Sequence, residues 1–145
     1  MAEVTKASDL LKSELIKFEL VSPARLVKSE PVEMVVVPCS EGDIGVLPGH
    51  APLIATVRPG VISIYAGGKV SDSIFVAGGF CEVTAERCTM LAEEAESLSS
   101  INPATAEARM ADAEAAVEAA DEAGKPAAER ALRVAEAYLA ASRAA

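Results

Sequence analysis

The sequence predicts an N-terminal antiparallel β-sandwich followed by a C-terminal antiparallel two-helix hairpin. Two observations carry this prediction. Up to Leu91 the chain runs in short β-branched segments cut by proline and glycine, and after Leu98 alanine and glutamate take over. A chain of 145 residues holds one modest domain plus an appendage. The expected layout is an N-terminal extension over residues 1–14, the sandwich over 15–92, a linker over 93–102 and the helical hairpin over 103–145.

Taken in order, Leu15 to Val21 partly alternates apolar and polar residues, and Glu33 to Val37 reads as a strand covered on both faces. Pro31, Pro38, Pro48, Pro52 and Pro59 then recur with glycines at intervals too short for helices. Gly67-Gly68, between Val61–Tyr65 and Val70–Val76, is a two-residue hairpin signal. Asn102 suits a helix N-cap and Pro103 the first helical position, where its missing N–H costs nothing. The first helix is expected to run to about Ala123, with Gly124 as a left-handed stop and Pro126 at the start of the second. Ala106, Met110, Ala113, Val117 and Ala120 form one stripe, and Ala128, Leu132, Ala135 and Leu139 the other. Alanine buries little area, so the hairpin docks weakly through it. The larger Leu132, Val134, Tyr138 and Leu139 are the expected hairpin–sandwich contacts, with packing between the two helices as their alternative role.

Composition excludes several functions. A net charge of −9 argues against phosphate backbones, hence against nucleic acid. With 51% hydrophobic but 3% aromatic residues, the chain offers little stacking surface for bases or sugars. Cys39, Cys81 and Cys88 contain no C-x-x-C pair and read as buried free thiols in a reducing compartment. One histidine supplies too few ligands for zinc, and no metal or other cofactor is expected. No run reaches the roughly 18 apolar residues of a membrane span, and the N-terminus lacks the order of a signal peptide.

The richest segment is Glu41-Gly42-Asp43-Ile44-Gly45-Val46-Leu47-Pro48-Gly49-His50-Ala51-Pro52-Leu53, a loop shaped by glycine and proline around the only histidine. Followed by Arg58-Pro59-Gly60-Val61 and Ile74-Phe75-Val76-Ala77-Gly78-Gly79-Phe80, it strongly resembles the epsilon subunit of F-type ATP synthases. The resemblance implies a non-catalytic central-stalk part that joins the gamma subunit to the ring of c subunits and couples rotation to ATP synthesis. It places His50, Ala51, Pro52 and Leu53 near gamma, and Glu41, Gly42 and Asp43 near the polar loops of the c ring, where acids give electrostatic register. It further implies a peripheral location on the cytoplasmic face of the bacterial inner membrane, and an exposed apolar patch on the sandwich to meet the stalk.

The match decays in the hairpin. Where some bacterial relatives carry an Ile/Leu-Asp-x-x-Arg-Ala nucleotide motif, this chain reads Ile101-Asn102-Pro103-Ala104-Thr105-Ala106, and ATP binding is not expected. The first helix carries Glu107, Asp112, Glu114, Glu118, Asp121 and Glu122 against the single base Arg109. An inhibitory contact with acidic loops of the beta subunits is therefore expected to be weak, with Arg130, Arg133 and Arg143 of the second helix as its remaining source. Met1 to Glu14 has no recognised counterpart. Two other classes compete. One is a free peptide- or sugar-binding sandwich with a helical lid; the other is a small hydrolase using His50 as base, for which no G-x-S-x-G elbow exists.

Overall fold

A computed structural model describes residues 15–144 of the chain. The sandwich strands are β1 (Ile16–Ser22), β2 (Arg25–Val32), β3 (Met34–Cys39), β4 (Gly42–Val46), β5 (Leu53–Val57), β6 (Gly60–Ala66), β7 (Lys69–Val76), β8 (Gly79–Val83), β9 (Arg87–Ala92) and β10 (Ala95–Ser97). A 3-10 turn (Leu98–Ser100) leads to helices α1 (Pro103–Ala119) and α2 (Lys125–Ala144).

Alternation decides the layers. In β1 the side chains of Ile16, Phe18 and Leu20 are wholly buried while Lys17 is exposed, the period of two that a half-covered strand requires. The sheet follows the order β10-β7-β6-β3-β5-β8-β9-β1-β2, with β4 added on β3. Strand β3 is the corner: Met34–Val36 pair with β6, whereas only Cys39 pairs with β5. The sheet folds there into two layers, and Val35, Val37, Ile62, Ile64, Ile74 and Val76 meet Ile16, Phe18, Leu20, Val83 and Met90 in one apolar core. Most pairings are antiparallel, but β1 runs parallel to β9, pairing Phe18 with Cys88 and Leu20 with Met90.

Two glycine sites are dictated by geometry. Gly67 and Gly68 take φ of +64° and +76° and close the tight β6–β7 turn, and their N–H groups both donate to the Glu33 carboxylate. Gly79 has φ +144°, and a Cβ there would lie 1.9 Å from the Leu91 carbonyl oxygen.

The C-terminal half of strand β7 is covered on both sides. Ile74 and Val76 face the core, while Phe75 points outward into a second cluster with Ala77, Ile101, Ala106, Tyr138 and Ala141. The helical hairpin therefore lies over the outer face of the β7–β6 layer.

Three expectations are corrected. Residues 93–102 are not a plain linker, because β10 pairs Ala95–Ser97 with Ile74–Val76 of β7. Helix α1 stops at Ala119 rather than near Ala123, as Ala120 turns extended at φ −71° and ψ 138°. Gly124 is not left-handed; instead its N–H donates to the Asp121 carboxylate at 2.8 Å, a local side-chain turn that competes with helix continuation. The Asn102 cap forms as the residue type dictates, its side-chain oxygen accepting from the N–H of Ala104 at 2.9 Å with Pro103 at the helix start.

Candidate partner-binding site

The outer face of the β5-β8-β9-β1-β2 layer is free of helices and divides into two halves. One row crosses five strands in register: Thr56 stands opposite Phe80, Phe80 opposite Leu91, Leu91 opposite Val21, and Val21 opposite Leu26. Neighbouring strands lie about 4.8 Å apart, so these side chains form one continuous stripe. Phe80 is 58% exposed, Leu91 53%, Leu26 59%, and Ile54, two residues along β5 from Thr56, is 74% exposed. Isolated exposed leucines are ordinary, but a contiguous apolar row on one face marks an interaction surface.

The other half of this face is charged. Lys17 and Arg87 flank Glu19, whose Oε1 lies 3.3 Å from the Lys17 ammonium and 3.8 Å from Arg87 Nε, and Glu82 stands opposite Ile54. A polar rim beside an apolar centre is the usual anatomy of a protein interface.

The glycine- and proline-rich loop stands at this charged end. The Gly49 N–H donates to the Ala85 carbonyl at 2.8 Å and the His50 N–H to the Leu47 carbonyl at 3.1 Å, which ties the loop to the β8–β9 turn. His50 is half-buried, and its ring Nδ1 donates to the Ala51 carbonyl at 2.7 Å. A carbonyl can only accept, so Nδ1 carries the proton, and among the described residues no nucleophile or acid hydrogen-bonds the ring. Ala51, Pro52 and Leu53 are exposed and carry the chain into β5.

Glu41, Gly42 and Asp43 lie at the opposite end of β4, at the turn from β3, and all three are exposed. Asp43 is already paired: its Oδ1 accepts from Arg58 Nη2 at 2.6 Å, and Arg58 Nη1 donates to the Cys39 carbonyl. Among the described residues Glu41 has no ion-pair partner, so it carries the uncompensated charge of this turn.

At the hairpin, Tyr138 packs edge-on against Phe75 with ring centroids 5.0 Å apart, and Val134 and Leu139 join the same cluster. Leu132 is half-buried outside that cluster. The Tyr138 hydroxyl donates to Glu96 at 2.5 Å, and Arg109 reaches over its ring, 4.8 Å from the centroid, to grip Glu94. Burial, aided by the Glu96 hydrogen bond, pushes the Tyr138 phenol up to about 12. The Glu94 hydrogen bond raises Arg109 further.

Cys39, Cys81 and Cys88 are buried free thiols. Cys81 and Cys88 meet with sulfurs 3.6 Å apart, and this contact together with burial pushes the Cys88 thiol upward. Among the described residues no cluster of histidine, cysteine and acid could hold a metal, and no helix is long and apolar enough to cross a membrane.

The sequence implied an exposed apolar patch on the sandwich but not which strand faces carry it. An outward Phe80 between inward Cys81 and the tight Gly79 was the only local signal, because Val21, Leu26, Ile54 and Leu91 join it solely through strand register.

Residues 15–98 match the family described as ATP synthase, Delta/Epsilon chain, beta-sandwich domain. The chain is 62% identical over 96 residues to the ATP synthase epsilon chain of Rhodospirillum rubrum, covering 66% of this chain and 72% of the relative. The epsilon chain of Paramagnetospirillum magneticum is likewise 62% identical over 96 residues, with the same shares of 66% and 72%. Among solved structures, a chain of the Euglena gracilis mitochondrial ATP synthase, OSCP/F1/c-ring, is similar at 30% identity and a TM-score of 0.76, covering 88% of this chain and 81% of that one.

Proposed function

The chain belongs to the ATP synthase delta/epsilon family as an epsilon chain, a non-catalytic subunit of that enzyme, and from this premise we propose that its apolar stripe is the face that grips the gamma subunit of the central stalk. The observation that carries the reading is the row Phe80–Leu91–Val21–Leu26 with Ile54 beside it, exposed on a rigid sheet while the opposite layer is covered by the hairpin. A rotor part transmits torque through an interface wide enough not to slip, and a sheet face holds such side chains at fixed spacing.

Leu53 and the loop His50-Ala51-Pro52 extend the gamma contact along β5, with His50 orienting the loop and taking no part in proton transfer. Glu41-Gly42-Asp43 meets the c ring. Arg58 neutralises Asp43, so Glu41 supplies the charge that sets register against basic loops. The assembly sits peripherally at the cytoplasmic face of the bacterial inner membrane. ATP is not bound, since Asn102 spends its side chain on capping α1 and Ile101 is buried under the hairpin. Inhibition through the hairpin is weak, because α1 is acidic and its single base Arg109 is engaged by Glu94. Among the described residues no aromatic lines the cleft beside β5, which disfavours a sugar-binding module.

Affinity capture of the tagged chain from detergent-solubilised membranes tests the reading. Gamma should co-purify together with alpha and beta subunits, and a Phe80→Glu variant should lose all three. Capture of the chain alone would refute it.

A further inference from the structure

We propose that β5 receives an extended segment of its stalk partner as an added strand, an inference that rests on the reading of this layer as the partner-binding face. The open edge is the observation. Strand β5 pairs along its whole length with β8, but with β3 only at Val57. The Thr56 carbonyl accepts from the Ser40 N–H at 2.9 Å, which places the backbone groups of Thr56 on the side away from β8. Backbone groups of a strand alternate, so Ile54 presents its N–H and carbonyl to that same side, where no described strand meets them. Among the described residues the Thr56 N–H has no backbone acceptor on that side either.

This edge borders a cleft of about 470 Å³ between Ser40–Ile44 and Leu53–Thr56. Exposed edge strands are commonly blunted by lysine, proline or a covering loop. Here Pro52 precedes the strand, but the strand itself carries the 74% exposed Ile54 and no charge. An added strand would pair with the open groups while its alternate side chains pack on Ile54 and Leu53.

Charge selects the occupant. Glu41 and Asp43 line the cleft, Arg58 pairs with Asp43 so that Glu41 leaves the wall one net negative charge, and Glu82 stands beside Ile54 on β8, the strand on the far side of β5 from the open edge. The matching partner segment alternates apolar residues with lysine or arginine. A second copy of this chain, with net charge −9 and the same acids on its own edge, is the poorer occupant.

Residue-resolved amide hydrogen exchange on the full chain, free and bound to purified gamma subunit, tests the inference. The amides of Ile54 and Thr56 should slow by about 100-fold or more in the complex, as for interior ladder bonds. If the complex forms and Leu91→Glu disrupts it while both amides still exchange freely, strand addition is wrong and the face assignment stands. If no complex forms, both fail. Concentration-dependent protection without gamma would assign the edge to a second copy and overturn the proposal.

Discussion

Arg109 on the first helix and Glu94 beside the last strand meet through two parallel N–H···O bonds, each 2.9 Å long. Beneath the same guanidinium lies the Tyr138 ring, which packs on Phe75 and hydrogen-bonds Glu96. Helices α1 and α2 are thus held to the sandwich by one polar clasp around one aromatic contact. The alanines of both helices supply close approach and little area.

A double-mutant cycle on Arg109→Gln and Glu94→Gln measures that clasp. Both side chains are a third or more exposed, so solvent screening limits the coupling to about 1 kcal/mol, despite bidentate geometry. Chemical denaturation should show this coupling at low salt and its decline as salt rises.

Tyr138 gives the docked hairpin a pH dependence. Its folded value of about 12 lies above the ordinary 10, so its contribution is fully present below pH 10 and is lost as pH rises through 12. Ultraviolet absorbance of phenolate, followed alongside stability, should show alkaline loosening in that window. In Tyr138→Phe this dependence should vanish, with a moderate loss of stability at neutral pH from the missing Glu96 bond.

Gly79→Ala should be among the most damaging small substitutions. A methyl group there would overlap the Leu91 carbonyl, so β8 and β9 must part or the backbone must leave its φ of +144°. A loss of about 2 kcal/mol or more in urea unfolding is expected. Gly67→Ala, with open space around its Cβ position, should cost less, about 1 kcal/mol from its positive φ alone.

The sequence made the architecture readable where local chemistry is sufficient. The Gly67-Gly68 turn, the Asn102-Pro103 start of α1 and the change of period after Leu98 are each decided by residues within a few positions. The parallel pairing of β1 with β9 is not, since it depends on where two distant strands settle in one layer. The same is true of the exposed apolar stripe, whose members come from five strands. Ala119 ends α1 early because Asp121 takes the Gly124 N–H, a competition that helix periodicity does not reveal. Of the site residues, the Leu47-to-Pro52 turn was legible from its prolines and glycine, but Gly42–Val46, read as part of the same loop, is strand β4 paired with β3, and the Asp43–Arg58 pair required the fold to bring residues 43 and 58 together.

Removing residues 101–145 should leave ATP hydrolysis by the assembled enzyme nearly unchanged, because α1 presents acids and its base is engaged. The truncated sandwich should also be less soluble, as Phe75 and Val61 lose their cover. Strong activation of hydrolysis on truncation would mean that the hairpin inhibits after all.

The most direct test of the stalk-binding face is titration calorimetry of the full chain with purified gamma subunit, comparing Leu91→Glu with Val70→Glu. Both residues are about half exposed, at 53% and 46%, but only Leu91 lies in the stripe. A buried charge at the centre of an interface costs about 2 kcal/mol or more, so Leu91→Glu should weaken binding by about 30-fold or beyond while Val70→Glu leaves it nearly unchanged. Equal affinities for Leu91→Glu and the unaltered chain, or a larger loss from Val70→Glu, would contradict the account.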